Sequence, residues 1–127
     1  KAVVSHVGIY DMLRVELTPN GAFNVTEFGT VKDPEQFRAL HAYSPYHHVQ
    51  DATVYPPVLF TTGEYDGRVD PWMSYKMTAR LQAAGGPNPV LLRVASDAGH
   101  GIGTSLASML EEDTDVYTFL FQHLGMR

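Results

Sequence analysis

Three short apolar runs punctuate the chain: Ala2-Val3-Val4-Ser5-His6-Val7, Val58-Leu59-Phe60-Thr61-Thr62 and Val90-Leu91-Leu92-Arg93-Val94. The second is bounded by two prolines before and a glycine after, and all three are too short for core helices, so each predicts a buried strand. Elsewhere the apolar spacing lengthens to a helical period. Asp33-Pro34 is expected to cap a helix running to about His41, with Phe37 and Leu40 on its buried face. Asp70-Pro71 reads as the cap and first position of a second helix, which carries Met73, Met77 and Leu81 at four-residue spacing and stops at Gly85-Gly86. A last helix is expected from Thr104 or Leu106 to Leu124, with Leu110, Val116, Tyr117, Leu120 and Phe121 as its apolar face and His123 suiting the dipole near its end. Gly8–Leu13 predicts a short helix, Thr18–Asp33 a long loop anchored by Phe23 and Phe28, and Ala42–Val49 an aromatic turn segment.

Strand, helices, strand, helix, strand, helix is the order of right-handed βαβ units, so the fold class is α/β with a mainly parallel sheet flanked by helices. Three strands make a thin parallel sheet. The outer edge of the first strand is unpaired unless another segment or a second copy completes it, so self-association through that edge is one expectation. Because the first strand starts almost at Lys1, the chain is expected to be part of a longer one.

Composition narrows the function classes. The 127 residues suit one domain with a modest core, and 44% hydrophobic with 18% charged residues is ordinary for a folded protein. The net charge is −5 and the basic residues are scattered, so nucleic acid is not an expected partner. No apolar run approaches the roughly 18 residues of a membrane span, and the start has no leader layout, so no membrane partner and a cytoplasmic location are expected. Without cysteine there is no thiolate nucleophile and no Cys-based metal site. His41, His47 and His48 lack a recognisable ligand spacing, and Gly99, Gly101 and Gly103 do not meet a dinucleotide fingerprint, so no metal and no cofactor is expected.

In an open α/β sheet, chemistry gathers outside the carboxyl ends of the strands. The loop after the second strand, Gly63–Val69, carries Asp66, and Ala98-Gly99-His100-Gly101 follows the third. Glycines on both sides of His100 leave its imidazole free to reach into a site. Asp and then His on successive strand ends is the chain order of the last two members of a Ser-Asp-His triad. Each residue also has a plainer reading: Asp66 as a turn-former, Arg68 as the surface partner of Glu64 or Asp70. The serines at 5, 44, 74, 96, 105 and 108 all lack the paired glycines of a G-x-S-x-G elbow.

The motifs Val7-Gly8-Ile9-Tyr10-Asp11-Met12-Leu13, Glu27-Phe28-Gly29, Tyr43-Ser44-Pro45 with His47 and Val49, Asp66-Gly67-Arg68-Val69-Asp70-Pro71 and Ala98-Gly99-His100-Gly101 occur in one order along nearly the whole chain. In this the chain resembles the C-terminal part of the catalytic domain of the prolyl oligopeptidase family of serine peptidases. The resemblance implies the C-terminal portion of an α/β-hydrolase fold, with Asp66 and His100 catalytic. It further implies that Arg68 holds a substrate carbonyl, and that Ile9, Phe28 and Val69 line the pocket for the residue before the scissile bond. The substrate is then a short peptide, cleaved after proline, although Asn24 stands where many members carry a tryptophan. The nucleophilic serine is expected upstream in the same polypeptide, and neither its elbow nor a β-propeller lies in these residues, so the isolated segment is expected to be inactive. Alternatives are an esterase or aminopeptidase of the same superfamily, or a non-catalytic fragment that self-associates or binds a partner.

Overall fold

Val58, Leu59 and Phe60 follow one another with no polar residue between them, so a strand built from them must be covered on both faces. The computed structural model, which describes residues 1–126, makes this strand the centre of the molecule. Every residue of β2 (Val58–Gly63) is buried. On one side it pairs in parallel with β1 (Val3–His6), on the other with β3 (Val90–Ala95), in the register Val3 to Val58 to Val90. The sheet order is β1-β2-β3, the expected α/β arrangement.

The pleat sends alternate side chains of β2 to opposite faces. Val58 and Phe60 join the larger core with Leu40, Met73, Met77 and Leu81. Leu59 joins a smaller one with Val116 and Phe119. α3 (Trp72–Ala83) brings Met73, Met77 and Leu81 to the larger cluster, α2 (Pro34–Tyr43) brings Leu40, and the segment after β1 brings Tyr10, Met12 and Val15. The smaller cluster is covered by α4 (Leu106–Leu124). Asp33 caps α2 as expected, accepting from the amides of Glu35 and Gln36 at 2.9 Å each, with Pro34 at the first helical position. Met73, Met77 and Leu81, the stripe of α3, are all buried.

Several expectations fail, each for a physical reason. The segment read as a long loop contains a helix, α1 (Gly21–Phe28), preceded by a 3-10 turn at Val15–Leu17. Its apolar residues make no buried stripe, and Phe23 is 76% exposed. Its start is fixed by a backbone approach: a Cβ on Gly21 would lie 2.0 Å from the Val15 carbonyl oxygen, while Phe28 at its end packs on the larger core. A glycine that reads as a loop signal is here a packing residue. The short helix expected at Gly8–Leu13 is instead a turn that leads into that 3-10 helix. Asp70 gives no side-chain cap to α3; Pro71 holds the cap position, and Asp70 contributes only its carbonyl to the Met73 amide.

On α4, Val116 and Phe119 face the sheet, with Leu120 partly buried, while Leu110, Tyr117 and Phe121 are exposed. A helix this apolar has more than one candidate stripe, and tertiary packing chose among them. Phe37 likewise stays outside, stacked on His41, while Leu40 is 1% exposed.

Leu40→Ala should therefore destabilise the fold by about 3 kcal/mol through the cavity left behind. Phe37→Ala should cost under about 1 kcal/mol. Urea midpoints of the two variants check the contrast, and equal shifts would contradict this burial.

Candidate active site

The loops that follow β2 and β3 are held together before any side chain is considered. Past the end of the ladder, the Glu64 amide donates to the Ala95 carbonyl at 2.9 Å and the Tyr65 amide to the Ala98 carbonyl at 3.1 Å. Gly63, the last residue of β2, makes this approach possible. A Cβ there would sit 2.3 Å from the Gly99 carbonyl oxygen and 2.4 Å from that of Ala98. Only a residue without a side chain fits.

The approach brings Asp66 against His100. Asp66 is 2% exposed, and a buried carboxylate must be hydrogen-bonded to be tolerated. Its Oδ1 accepts from the amides of Arg68 at 2.9 Å and Val69 at 2.8 Å, closing its own turn. Its Oδ2 lies 2.8 Å from His100 Nδ1. An ionised carboxylate only accepts, so Nδ1 carries the proton and Nε2 keeps its lone pair. Nε2 has no partner among the described residues, and the His100 side chain is about a quarter exposed. The imidazole is thus held in one orientation, with its second nitrogen carrying an uncommitted lone pair.

A cavity of about 210 Å³ lies beside His100, lined by His6, Thr61, Thr104 and Glu112 together with the glycine-rich loops. His6 Nδ1 is 2.8 Å from Thr61 Oγ1 and 3.2 Å from Glu112 Oε1. Thr104 Oγ1 is buried with no hydrogen-bond partner among the described residues. None of these lining residues was expected. His6 was within reach, because it is the last residue of β1 and the strand-end rule applies to it. Glu112 sits on a helix and depends on tertiary packing alone.

The other expected site residues lie apart from that cavity. Ile9, Phe28 and Val69 all pack, half-buried, on the larger core. Arg68 is exposed and forms no ion pair with Glu64 or Asp70 among the described residues, and its carbonyl accepts from Asn20 at 3.2 Å. Ahead of Ile9 the strand ends abruptly at Val7, whose φ of 42° is a strained value for a β-branched residue. After it, Tyr10 lies edge-on to Phe60 with its hydroxyl 2.6 Å from Ser5 Oγ. Burial raises the Tyr10 pKa above the usual phenol value, so it acts as a neutral hydrogen-bonding group.

The profile of the prolyl oligopeptidase family of peptidases matches residues 1–127. The chain belongs to this family. Among its curated relatives are a prolyl oligopeptidase of Dendrothele bispora, 39% identical over 98% of this chain and 17% of its own length, and a prolyl endopeptidase of Elizabethkingia miricola, 38% identical over 100% of this chain and 18% of its own. A solved prolyl endopeptidase shares 42% identity with a TM-score of 0.94, covering 99% of this chain and 19% of that one. Prolyl oligopeptidase B of Galerina marginata, bound to a 35mer hydrolysis and macrocyclization substrate, is 31% identical with a TM-score of 0.91, again over 99% of this chain and 18% of that one. Structures of that enzyme include variants with alanine for a serine, a histidine or an aspartate. This chain therefore spans less than a fifth of the length of these prolyl oligopeptidases, and their fold over that span is the α/β-hydrolase arrangement described above.

Gly63→Ala drives a methyl group into two backbone carbonyls, so it should part the two loops and cost about 1–3 kcal/mol. The Nδ1 proton of His100 should resonate far downfield in NMR spectra while its bond to Asp66 is intact. Loss of that signal in Gly63→Ala is the expected result; a signal that persists unshifted would separate the glycine from the site.

Proposed function

We propose that this chain supplies the aspartate and histidine of a Ser-Asp-His oligopeptidase triad that cleaves short peptides after proline. The single observation carrying the reading is the bond from His100 Nδ1 to buried Asp66 Oδ2 at 2.8 Å, with Nε2 free of any partner among the described residues. Support comes also from family membership, and from the Galerina enzyme, in which a serine, a histidine and an aspartate were each replaced by alanine. The relatives are peptidases, which favours this reading over an esterase or aminopeptidase and over a non-catalytic fragment.

The nucleophile is a serine in a part of the polypeptide outside these residues. His100 Nε2 takes the proton of that serine as its oxygen attacks the peptide carbonyl, then delivers it to the leaving amine. Asp66 does not take the proton. It keeps Nδ1 protonated, fixes the ring, and stabilises the imidazolium that forms. Arg68 is exposed and unpaired with nearby acids, so its guanidinium is available to a substrate carbonyl; Ile9, Phe28 and Val69 form the apolar wall for the residue before the scissile bond. With Asn24 where many members stack a tryptophan on proline, the discrimination rests on that wall.

The intact polypeptide should hydrolyse a proline-containing peptide and be labelled by a fluorophosphonate, whereas the 127-residue segment alone should do neither. His100→Ala should lower kcat by about 10⁶. Asp66→Asn should lower it by about 10⁴ through the wrong tautomer. A His100→Ala enzyme that keeps a tenth of its kcat overturns the assignment, and faster turnover of simple acyl esters than of proline peptides favours the esterase reading.

A further inference from the structure

The chain buries a second carboxylate as completely as Asp66, and the proposed chemistry does not use it. Asp11, just after β1, has a side chain 2% exposed, while the acids paired with Arg80 and Arg93 are between 30% and 76% exposed. Its Oδ2 is bonded to the ammonium of Lys76, which reaches down from α3. Oδ1 accepts from the Leu13 amide at 3.1 Å, and its carbonyl accepts from the amides of Arg14 and Val15 at 3.2 Å each. The ammonium lies 4.1 Å from the centre of the Tyr46 ring, so the cation has an aromatic face as well as a carboxylate.

The same turn is gripped from a second direction by the 3-10 helix Pro45–His48 and the serine before it. Ser44, fully buried, accepts from the Met12 amide at 3.1 Å; the Tyr46 amide donates to the Tyr10 carbonyl at 2.9 Å. Ser44 Oγ is also 2.8 Å from His47 Nδ1 and 3.4 Å from the Tyr10 carbonyl oxygen. The turn Tyr10–Leu13 is therefore fixed by α3 and by this 3-10 helix at once, and Ile9 is the residue before it. The Lys76 side chain is 34% exposed, so only the carboxylate end of the pair is sealed, and what that end holds is the turn.

We propose that Lys76 and Asp11 form a positioning strut for the substrate pocket, which sets the Ile9 wall against the residue before the scissile bond, and that Ser44 and His47 make the setting sensitive to protons. The inference rests on the peptidase reading for its consequence, and on hydrogen bonding alone for the strut. Burial first holds the His47 pKa below its ordinary value; Asp11, from the turn, opposes this, while His41 on α2, Lys76 on α3 and neighbouring His48 add to it. The Ser44 hydroxyl donates to the Tyr10 carbonyl, so neutral His47 donates its Nδ1–H to Ser44 Oγ. A second proton, taken at Nε2, makes the ring a cation. Its Nδ1 lies 3.9 Å from Asp11 Oδ1, the oxygen holding the Leu13 amide, so the new charge competes with Lys76 for the carboxylate. Because the folded pKa is depressed, the folded state resists this proton. The stabilisation is full above the ordinary 6.5 and is lost as the pH falls from there through the lowered value.

The test uses the intact polypeptide and two independent readouts. Lys76→Met should raise KM for a peptide with proline before the scissile bond by about tenfold while kcat stays within about threefold, because the triad is untouched. The double variant Asp11→Asn/Lys76→Met leaves no unpaired charge and guards against simple misfolding; it should show the same KM effect. KM of the wild type should rise on the acid side as His47 takes its proton, and His47→Gln should remove that rise without altering the pH dependence of kcat. Hydrogen exchange is the second readout: Lys76→Met should speed exchange at Met12 and Leu13 but not at Arg68 and Val69, whose amides Asp66 holds. Wild-type KM in the double variant, or unchanged exchange at Met12 and Leu13, overturns the strut. A wild-type polypeptide that cleaves no peptide defeats the peptidase reading alone, since the exchange result stands without it.

Discussion

A buried carboxylate cannot stay charged without hydrogen bonds, and the demands of Asp66 organise the end of the sheet where the loops after β2 and β3 meet. One of its oxygens is spent on its own loop, where the amides of Arg68 and Val69 turn inward to meet it. This leaves one oxygen and one direction for a partner from elsewhere. His100 fills that direction because Gly63 lets the loop after β3 settle against the loop after β2. If either loop shifted by an ångström, the carboxylate would lose its last partner and the imidazole its orientation.

The sheet makes that placement reproducible. β2 is buried along its whole length, with Val58 and Phe60 on one core and Leu59 on the other, so a slip in register would exchange the two faces. Its carboxyl end is thus fixed by packing on both sides, and β3 follows it residue for residue as far as Gly63 and Ala95. The free energy stored in the two cores is what holds the loops where they meet. Fold and site are linked at this one strand end.

What could be read from the residues alone follows the same division. The strands, α2, α3 and the Asp-then-His order were legible because each rests on a local signal: a bounded apolar run, the Asp33-Pro34 cap, a four-residue methionine and leucine spacing. α1 was not legible, since its residues form no buried stripe and its start is fixed by a backbone contact at Gly21 with Val15, which no pattern in the chain displays. The buried face of α4 was ambiguous for the opposite reason, a surplus of apolar residues. Lys76 passed unnoticed because a lysine on a helix reads as a solvated charge unless its partner, 65 residues away, is known to be sealed.

Set side by side, the two buried aspartates show why the same local structure serves two ends. Asp11 follows β1 and Asp66 follows β2. Each gives one oxygen to an amide or amides in its own turn and the other to a side chain brought by a later element. The difference lies in the partner. The Lys76 ammonium bonded to Asp11 has no lone pair, so it can anchor a turn but cannot receive a proton. His100 offers its carboxylate an N–H at one nitrogen and keeps a lone pair at the other, so the same anchoring leaves a base behind. Exchanging lysine for imidazole at the end of an otherwise similar arrangement is enough to turn a strut into a proton acceptor, and the chemistry proposed for this chain depends on that difference.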